Sequence, residues 1–200
     1  MKAKKININS LKSSQIAEVI LLHLDVLGYT MNSRLGFNHL KYVYMVTSEH
    51  KKSKVAVATF NEKIVGLIVL SLDPIDLKNV LLSNLGFGRL VKTIFKFIIR
   101  PSLLNQLFDS RKVEKPICYK ENVIKPLLTV IAVKKKYQGL EIGTKLINYA
   151  NKYFSSNDYF VYKVDTLLNN DISRSFYRNN GFIELEKRGR NIVMVKELDH

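Results

Sequence analysis

The stretch from Val133 to Leu146, VKKKYQGLEIGTKL, holds residues whose types and spacing suit one kind of chemistry, the binding of an anion. It follows the apolar run KPLLTVIAV and leads into a helical pattern. A strand that ends in a tight turn and feeds a helix leaves the first helical amides without internal partners, and the helix dipole adds partial positive charge there. Gly139 and Gly143 let a bulky phosphate group come close to the main chain, and Lys134, Lys135 and Lys136 add positive field at the mouth. The chemistry expected is phosphate or diphosphate binding. A plain structural turn carries the same glycines, so both readings stand on this feature alone. No His, Cys and Asp cluster has metal-ligand spacing, and no metal is expected.

Hydrophobic periodicity predicts the elements that must position this turn. Residues 3–9 alternate as a first strand, and Ser13 or Ser14 is placed to cap a helix carrying Val19, Ile20, Leu24 and Leu27, which ends at Gly28. SRLGFNHLKYVYMV reads as a second helix, with Leu35, Leu40, Val43 and Tyr44 as its buried face and Gly36 weakening it. KVAVATFNEKIVGLIVLSLD is a hairpin around Asn-Glu-Lys, and Asp73-Pro74 ends its second strand. Residues 75–125 show no strand pattern; Val91, Ile94, Phe95 and Ile98 mark one helix, and Pro101 opens another with Leu103, Leu104, Leu107 and Phe108. KPLLTVIAV reads as a central strand buried on both faces. Then come a helix with Ile142, Leu146, Tyr149, Ala150 and Tyr153, the strand YFVYKVDTL, a short helix stopped by Gly181, and a closing hairpin around Gly-Arg-Asn. The fold class expected is a mixed α/β layer with one sheet and a helical stretch inserted between the third and fourth strands.

Length and composition bound the rest. Two hundred residues predict a single domain over 1–200, with 46% hydrophobic and 24% charged residues, which is ordinary globular composition and argues against disorder. One cysteine, Cys118, cannot form an internal disulfide, and the basic N-terminal segment precedes no apolar leader core. Apolar runs are cut by charge before the roughly 18 residues a membrane span needs, so a cytoplasmic setting is expected. The net charge of +15 attracts polyanions, or reflects lysine-rich composition and nothing more. It is spread along the chain with no RNA-reading motif, so nucleic acid is not expected as a partner. Arg89, Lys92, Lys96 and Arg100 flank the stripe of the inserted helix; the reading preferred is a helix packed on the domain, with contact to an anionic membrane as the other.

Two motifs go further. Gln138-Gly139-Leu140-Glu141-Ile142-Gly143 resembles the Q/R-x-x-G-x-G/A signature of the GNAT superfamily of acyl-CoA-dependent N-acyltransferases. NDISRSFYRNNGF resembles a second family motif, with Asn170, Phe176, Tyr177, Gly181 and Phe182 in register and Ser173 where alanine is usual. The predicted element order matches that family over nearly the whole chain, except an insertion at about 75–120, and implies its mostly antiparallel sheet flanked by helices.

The resemblance implies that the fourth strand splays from the fifth and that the pantetheine arm of acetyl-CoA enters the gap. It would bond the main chain of Ile131 and Val133, with Ala132 between them. The diphosphate would sit on amides of Gln138, Gly139, Leu140, Glu141, Ile142, Gly143 and Thr144. Asn170 and Phe176 would border the arm, and Asn170 is equally a helix N-cap. Tyr177 would protonate the departing thiolate, a task a phenol can do, and the Val133 N–H would polarise the carbonyl. Glu141 stands where the family has glycine; its carboxylate is expected to turn to solvent or to the 134–136 lysines, because like charge opposes a diphosphate. The activity implied is acetyl transfer to a primary amine of a small molecule, an amino sugar among them, or of a protein. The alternative is a non-catalytic module on the same fold that senses coenzyme A or holds an anionic partner. Glu49, Asp73 and Asp76 lie near strand ends as candidate bases, equally readable as surface charges, and His23 and His39 read as packing or surface histidines. The acceptor pocket is expected near Tyr29–Phe37, and a homodimer is the assembly common in the family.

Overall fold

The hairpin pattern closes as expected. In the computed structural model, which describes residues 5–84 and 116–199, β2 (Ser53–Phe60) and β3 (Lys63–Ser71) pair antiparallel. Their turn is Asn61-Glu62, both in the left-handed region at φ 48° and 65°, the twist that suits a two-residue hairpin. β1 (Ile6–Ser10) adds to β2, and β6 (Leu127–Val133) adds to β3. Beyond β6 lie β7 (Val161–Leu167), β9 (Asn191–Glu197) and β8 (Ile183–Arg188). The seven-stranded order is β1-β2-β3-β6-β7-β9-β8, and only β6 and β7 run parallel.

Helices cover both faces. On one side α5 (Ile142–Ser155) and α6 (Asp171–Asn179) pack over a core that includes Ala56, Ile68, Leu128, Tyr162, Val164 and Met194. On the other, α1 (Ile16–Leu27) and α3 (Phe37–Glu49) cover Val55, Val57, Leu67, Val69 and Ala132. Strand alternation sorts β2 between these cores, even positions to one and odd to the other. Past β7 the second face is closed by Ile117 and Ile124, which pack on Val193 and Val195 beside a small hairpin, β4 (Cys118–Tyr119) and β5 (Asn122–Val123). A mostly antiparallel sheet flanked by helices is the fold class the sequence predicted.

Several local expectations are corrected. The segment read as one helix from Ser33 is two, α2 (Met31–Leu35) and α3, because Gly36 takes φ 89°, which breaks the helical path. Neither Ser13 nor Ser14 caps α1; the turn before it is tied by Gln15, whose side chain accepts from the Lys12 N–H at 3.0 Å. The strand buried on both faces is β3, not β6. In β6 only Leu128 and Ala132 are fully buried, and Thr129 is exposed at a bulge opposite Val69–Leu70. The β4–β5 hairpin lies in the 75–125 stretch where no strand pattern was expected, and α4 (Pro74–Ser83) opens that stretch. The predicted helices around Val91–Ile98 and Leu103–Phe108, with their basic flank, fall outside the described residues. Among the described residues, no helix is long and apolar enough to cross a membrane.

Candidate active site

The feature that organises the site is a ladder that stops. β6 and β7 pair at only two positions, Leu127 with Lys163 and Leu128 with Val164. Beyond them β6 stays on β3 as far as Val133, and Lys134 extends the attachment by donating its N–H to the Val65 carbonyl at 2.8 Å. Successive main-chain groups of a strand point to opposite edges. With the Lys134 N–H bound to β3, the main-chain groups of Val133 and Ile131 face the open side, while Ala132 faces β3. β6 therefore presents a strand edge with no strand beside it among the described residues. Such an edge accepts an extended, hydrogen-bonding guest.

The turn after β6 is built to leave donors free. Lys135–Tyr137 form one 3-10 turn, and the Gln138 N–H donates to the Lys135 carbonyl at 3.2 Å. The Gln138 side chain reaches back and donates to the Val133 carbonyl at 3.1 Å. Gln138 thus holds the turn against the end of β6, and its amide is not free for a phosphate. The next amides, from Gly139 to Thr144, make no hydrogen bond among the described residues; the ladder of α5 begins when the Lys145 N–H donates to the Glu141 carbonyl at 2.9 Å. Gly139 sits at φ 79° with open space where a side chain would be. Six unpartnered amides at the positive end of a 14-residue helix form an anion cradle.

Gly143 has a packing role besides the one predicted. A Cβ there would lie 2.8 Å from Cε2 of Phe176. The glycine lets α6 dock on the first turn of α5, so it fixes the distance between the cradle and the Phe176–Tyr177 pair. Glu141 occupies the left-handed region at φ 57°, ψ 10°, a conformation glycine adopts without strain. Its side chain is 81% exposed, with Lys145 Nζ 4.0 Å away. The expectation that it turns to solvent holds; the lysine it meets is on α5, not in the 134–136 run. Lys134 instead stands 4.0 Å from Glu18 on α1.

Tyr177 is fixed by aromatic contacts. Its ring lies 5.4 Å from Phe176 and 5.3 Å from Phe182, which in turn sits 5.3 Å from Tyr162. The residue is 6% exposed. Burial first, then the nearby Tyr29 and Asp165, pushes the phenol well above its ordinary range, so it keeps its proton. Asn170 caps α6, its Oδ1 accepting from the Ser173 N–H at 3.0 Å; the N-cap reading is realised. Asn170 also lines a cavity of about 440 Å³ with Tyr29, Leu167, Asn169, Asp171 and Ile172, at the end of β7.

A sequence model described as an acetyltransferase (GNAT) domain matches residues 113–184, the segment that holds the open edge, the cradle and Tyr177. That segment is similar to a GNAT acetyltransferase domain. Solved acetyltransferase structures share the chain's fold. The PaiA N-acetyltransferase from Thermoplasma acidophilum, crystallised with coenzyme A, is 13% identical with a TM-score of 0.61, over 96% of this chain and 99% of that one. The ribosomal-protein-S18-alanine N-acetyltransferase from Escherichia coli is 12% identical with a TM-score of 0.59, over 98% and 96%. The aminoglycoside 6'-N-acetyltransferase AAC(6')-Ih from Acinetobacter baumannii is 12% identical with a TM-score of 0.60, over 92% and 94%. At these identities the likeness is one of fold. No protein of curated function matches the sequence.

Within this GNAT frame, the three carboxylates considered as bases stand at the wrong end. Asp73 caps α4, accepting from the Asp76 N–H at 3.1 Å. Asp76 meets Lys52 at 2.9 Å and His50 at 3.6 Å. Glu49 ends α3 in the same region. All lie where β6 begins, about 20 Å from Val133 at the usual strand rise. His23 is buried, its Nδ1 2.7 Å from the Tyr44 hydroxyl, and His39 meets Asn32 at 3.2 Å. Neither reaches the open edge. Sequence reading missed Asp165, on β7 just past the last pair with β6. Nothing local marks it, because its placement depends on where two distant strands part.

Proposed function

We propose that this protein is an N-acyltransferase that moves an acetyl group from acetyl-CoA to a primary amine, by direct attack within a ternary complex. One observation carries the reading: the freed edge of β6 leads, through the single turn at 135–137, to the unpartnered amides of Gly139 to Thr144. An extended arm that ends in a diphosphate fits that combination, amide groups along the arm pairing with Val133 and Ile131 and phosphates on the cradle. Phe176 borders the arm.

The amine nitrogen attacks the thioester carbonyl carbon and the C–N bond forms. The Val133 N–H is placed to stabilise charge developing on the carbonyl oxygen. As the C–S bond breaks, its electron pair goes to sulfur and Tyr177 supplies the proton that makes the free thiol. The acceptor enters from the cavity by Tyr29 and Asn169, where Asn169, Asn170 and Asp171 supply polar groups on a mostly apolar wall for a hydroxylated or peptide-like amine, an amino sugar among them. The exposed free thiol of Cys118 fits a reducing, cytoplasmic setting.

Calorimetry with acetyl-CoA, followed by a thiol-release assay over aminoglycosides, polyamines, amino sugars, amino acids and peptides, tests the reading. Saturable binding and amine-dependent thiol release are expected. Absence of acetyl-CoA binding overturns it; binding without release from any amine leaves the fold as a coenzyme A sensor.

A further inference from the structure

The protein's other proton-transfer group can also be located, given the acyl-transfer reading. We infer that Asp165 accepts the proton that the attacking amine must lose. Three observations converge on it.

The first is position on the strand. Lys163 and Val164 hold the only two places where β7 pairs with β6, and Asp165 follows at once. Its other edge remains tied to β9 opposite Val193. Asp165 is thus a fixed residue at the mouth of the split.

The second is the face it occupies. Tyr162 and Val164 point into the core beneath α5 and α6, the side that holds Tyr177. Alternation puts Asp165 on the other face, with Val161 of the outer core. A thioester held in the split would then have Tyr177 on one side and Asp165 on the other. Both groups are nonetheless close enough to couple electrostatically, as are Tyr177 and Tyr29, which lines the cavity. An acid and a base on opposite sides of one carbonyl match what aminolysis requires, because the proton leaves nitrogen and another reaches sulfur.

The third is the environment. Asp165 is open to solvent yet has enough protein around it that desolvation raises its carboxyl above the ordinary range. Lys163 on the same strand and Arg188 on β8 oppose that rise, while Tyr177 on α6 is neutral. The result is a carboxyl whose proton affinity is raised above that of a free one. The protons balance: the nitrogen gives one to Asp165, Tyr177 gives one to sulfur, and exchange with solvent returns both side chains to their starting states. An amine that arrives as its ammonium ion releases one further proton to water.

The test uses the full chain and the most active amine of the panel. In Asp165→Asn, kcat/KM is expected to fall about 10²-fold at neutral pH, the scale of general-base catalysis. The acetyl-CoA dissociation constant should stay within about twofold of wild type, because Asp165 touches no part of the cradle. The defect should persist at pH values above the acceptor's own pKa, because a neutral amine still sheds a proton when it attacks, and Asp165→Glu should recover part of the loss. Turnover of Asp165→Asn within twofold of wild type at every pH overturns this assignment and leaves acyl transfer standing. Loss of acetyl-CoA binding in the variant makes Asp165 structural and also overturns it. A wild-type protein that binds acetyl-CoA but releases thiol with no amine overturns both the base and the transferase reading.

Discussion

The two halves of the sheet are built from similar apolar strands and behave differently. β2 and β3 pair over eight positions with one bulge, and residues 64–71 of β3 are all buried. β6 and β7 pair over two positions, and most of β6 is only half-buried. The zipped half is a wall, with helices packed on both faces. The parted half gives up hydrogen bonds and burial along one strand edge, and an unpaired edge is costly unless something else pairs with it. One edge of β6 is thus used for strand pairing, and the other is the edge proposed to receive the acyl carrier.

Substitutions that act on one half and spare the other sharpen this contrast. The largest effect is expected from Tyr177→Phe, which removes one hydroxyl and leaves the aromatic contacts with Phe176 and Phe182 in place. Turnover should fall on the order of 10³-fold, within the range of lost acid catalysis, with acetyl-CoA affinity and melting temperature unchanged. Normal turnover in this variant would remove Tyr177 from the chemistry.

The zipped half predicts a pH effect that leaves the site alone. His23 is buried between α1 and α3 against Tyr44, its Nε2 without a partner among the described residues. Burial lowers it from 6.5 to about 4. Between those values the unfolded chain holds a proton on His23 that the folded chain does not, so stability rises with pH through that window and is lost on acidification from 6.5 towards 4. The loss should approach roughly 3 kcal/mol. Denaturant titrations at several pH values measure it, and the double variant His23→Phe, Tyr44→Phe should flatten the slope without altering acetyl-CoA binding. An unchanged slope would place the acid sensitivity elsewhere.

Gly143→Val tests the link between the halves of the motif. A side chain at 143 drives into the Phe176 ring, and overpacking of this kind costs about 2 kcal/mol. Because Phe176 adjoins Tyr177, turnover should fall along with the melting temperature, which separates this variant from Tyr177→Phe.

How much of this was legible beforehand follows the range of each interaction. The anion turn was readable because its parts are consecutive: a strand, two glycines, lysines and a helix. The hairpin at Asn61-Glu62 and the α6 stop at Gly181 are local in the same sense. The burial of β6 was misjudged because an apolar run does not reveal that one neighbouring strand turns away. Asp165 went unseen for the same reason. The packing role of Gly143 was not readable because its partner, Phe176, lies 33 residues further on. The β4–β5 hairpin escaped notice because its strands are two residues long and its turn, Lys120-Glu121, takes left-handed φ without glycine or asparagine at either position.

Glu141 is where the cradle departs from the glycine of the GNAT motif it resembles, and the smallest predicted effect concerns it. Two costs meet at this residue. A side chain in the left-handed region costs roughly 1 kcal/mol relative to glycine, and a carboxylate beside the cradle opposes a diphosphate. Exposure and the neighbouring Lys145 weaken the second cost, since salt and water screen a charge that is 81% exposed. Glu141→Gly removes both costs, so it should stabilise the fold slightly and tighten acetyl-CoA binding by about threefold to tenfold, the equivalent of about 1 kcal/mol. Glu141→Gln removes only the charge. If repulsion dominates, Gln should match Gly at low salt and the advantage should fade as salt is added. If backbone conformation dominates, Gly alone should help, at every ionic strength. Either outcome keeps the cradle as the diphosphate site. Wild-type affinity in both variants at low salt would mean that the phosphates do not bind beside residue 141, and the division of labour along β6 would have to be redrawn.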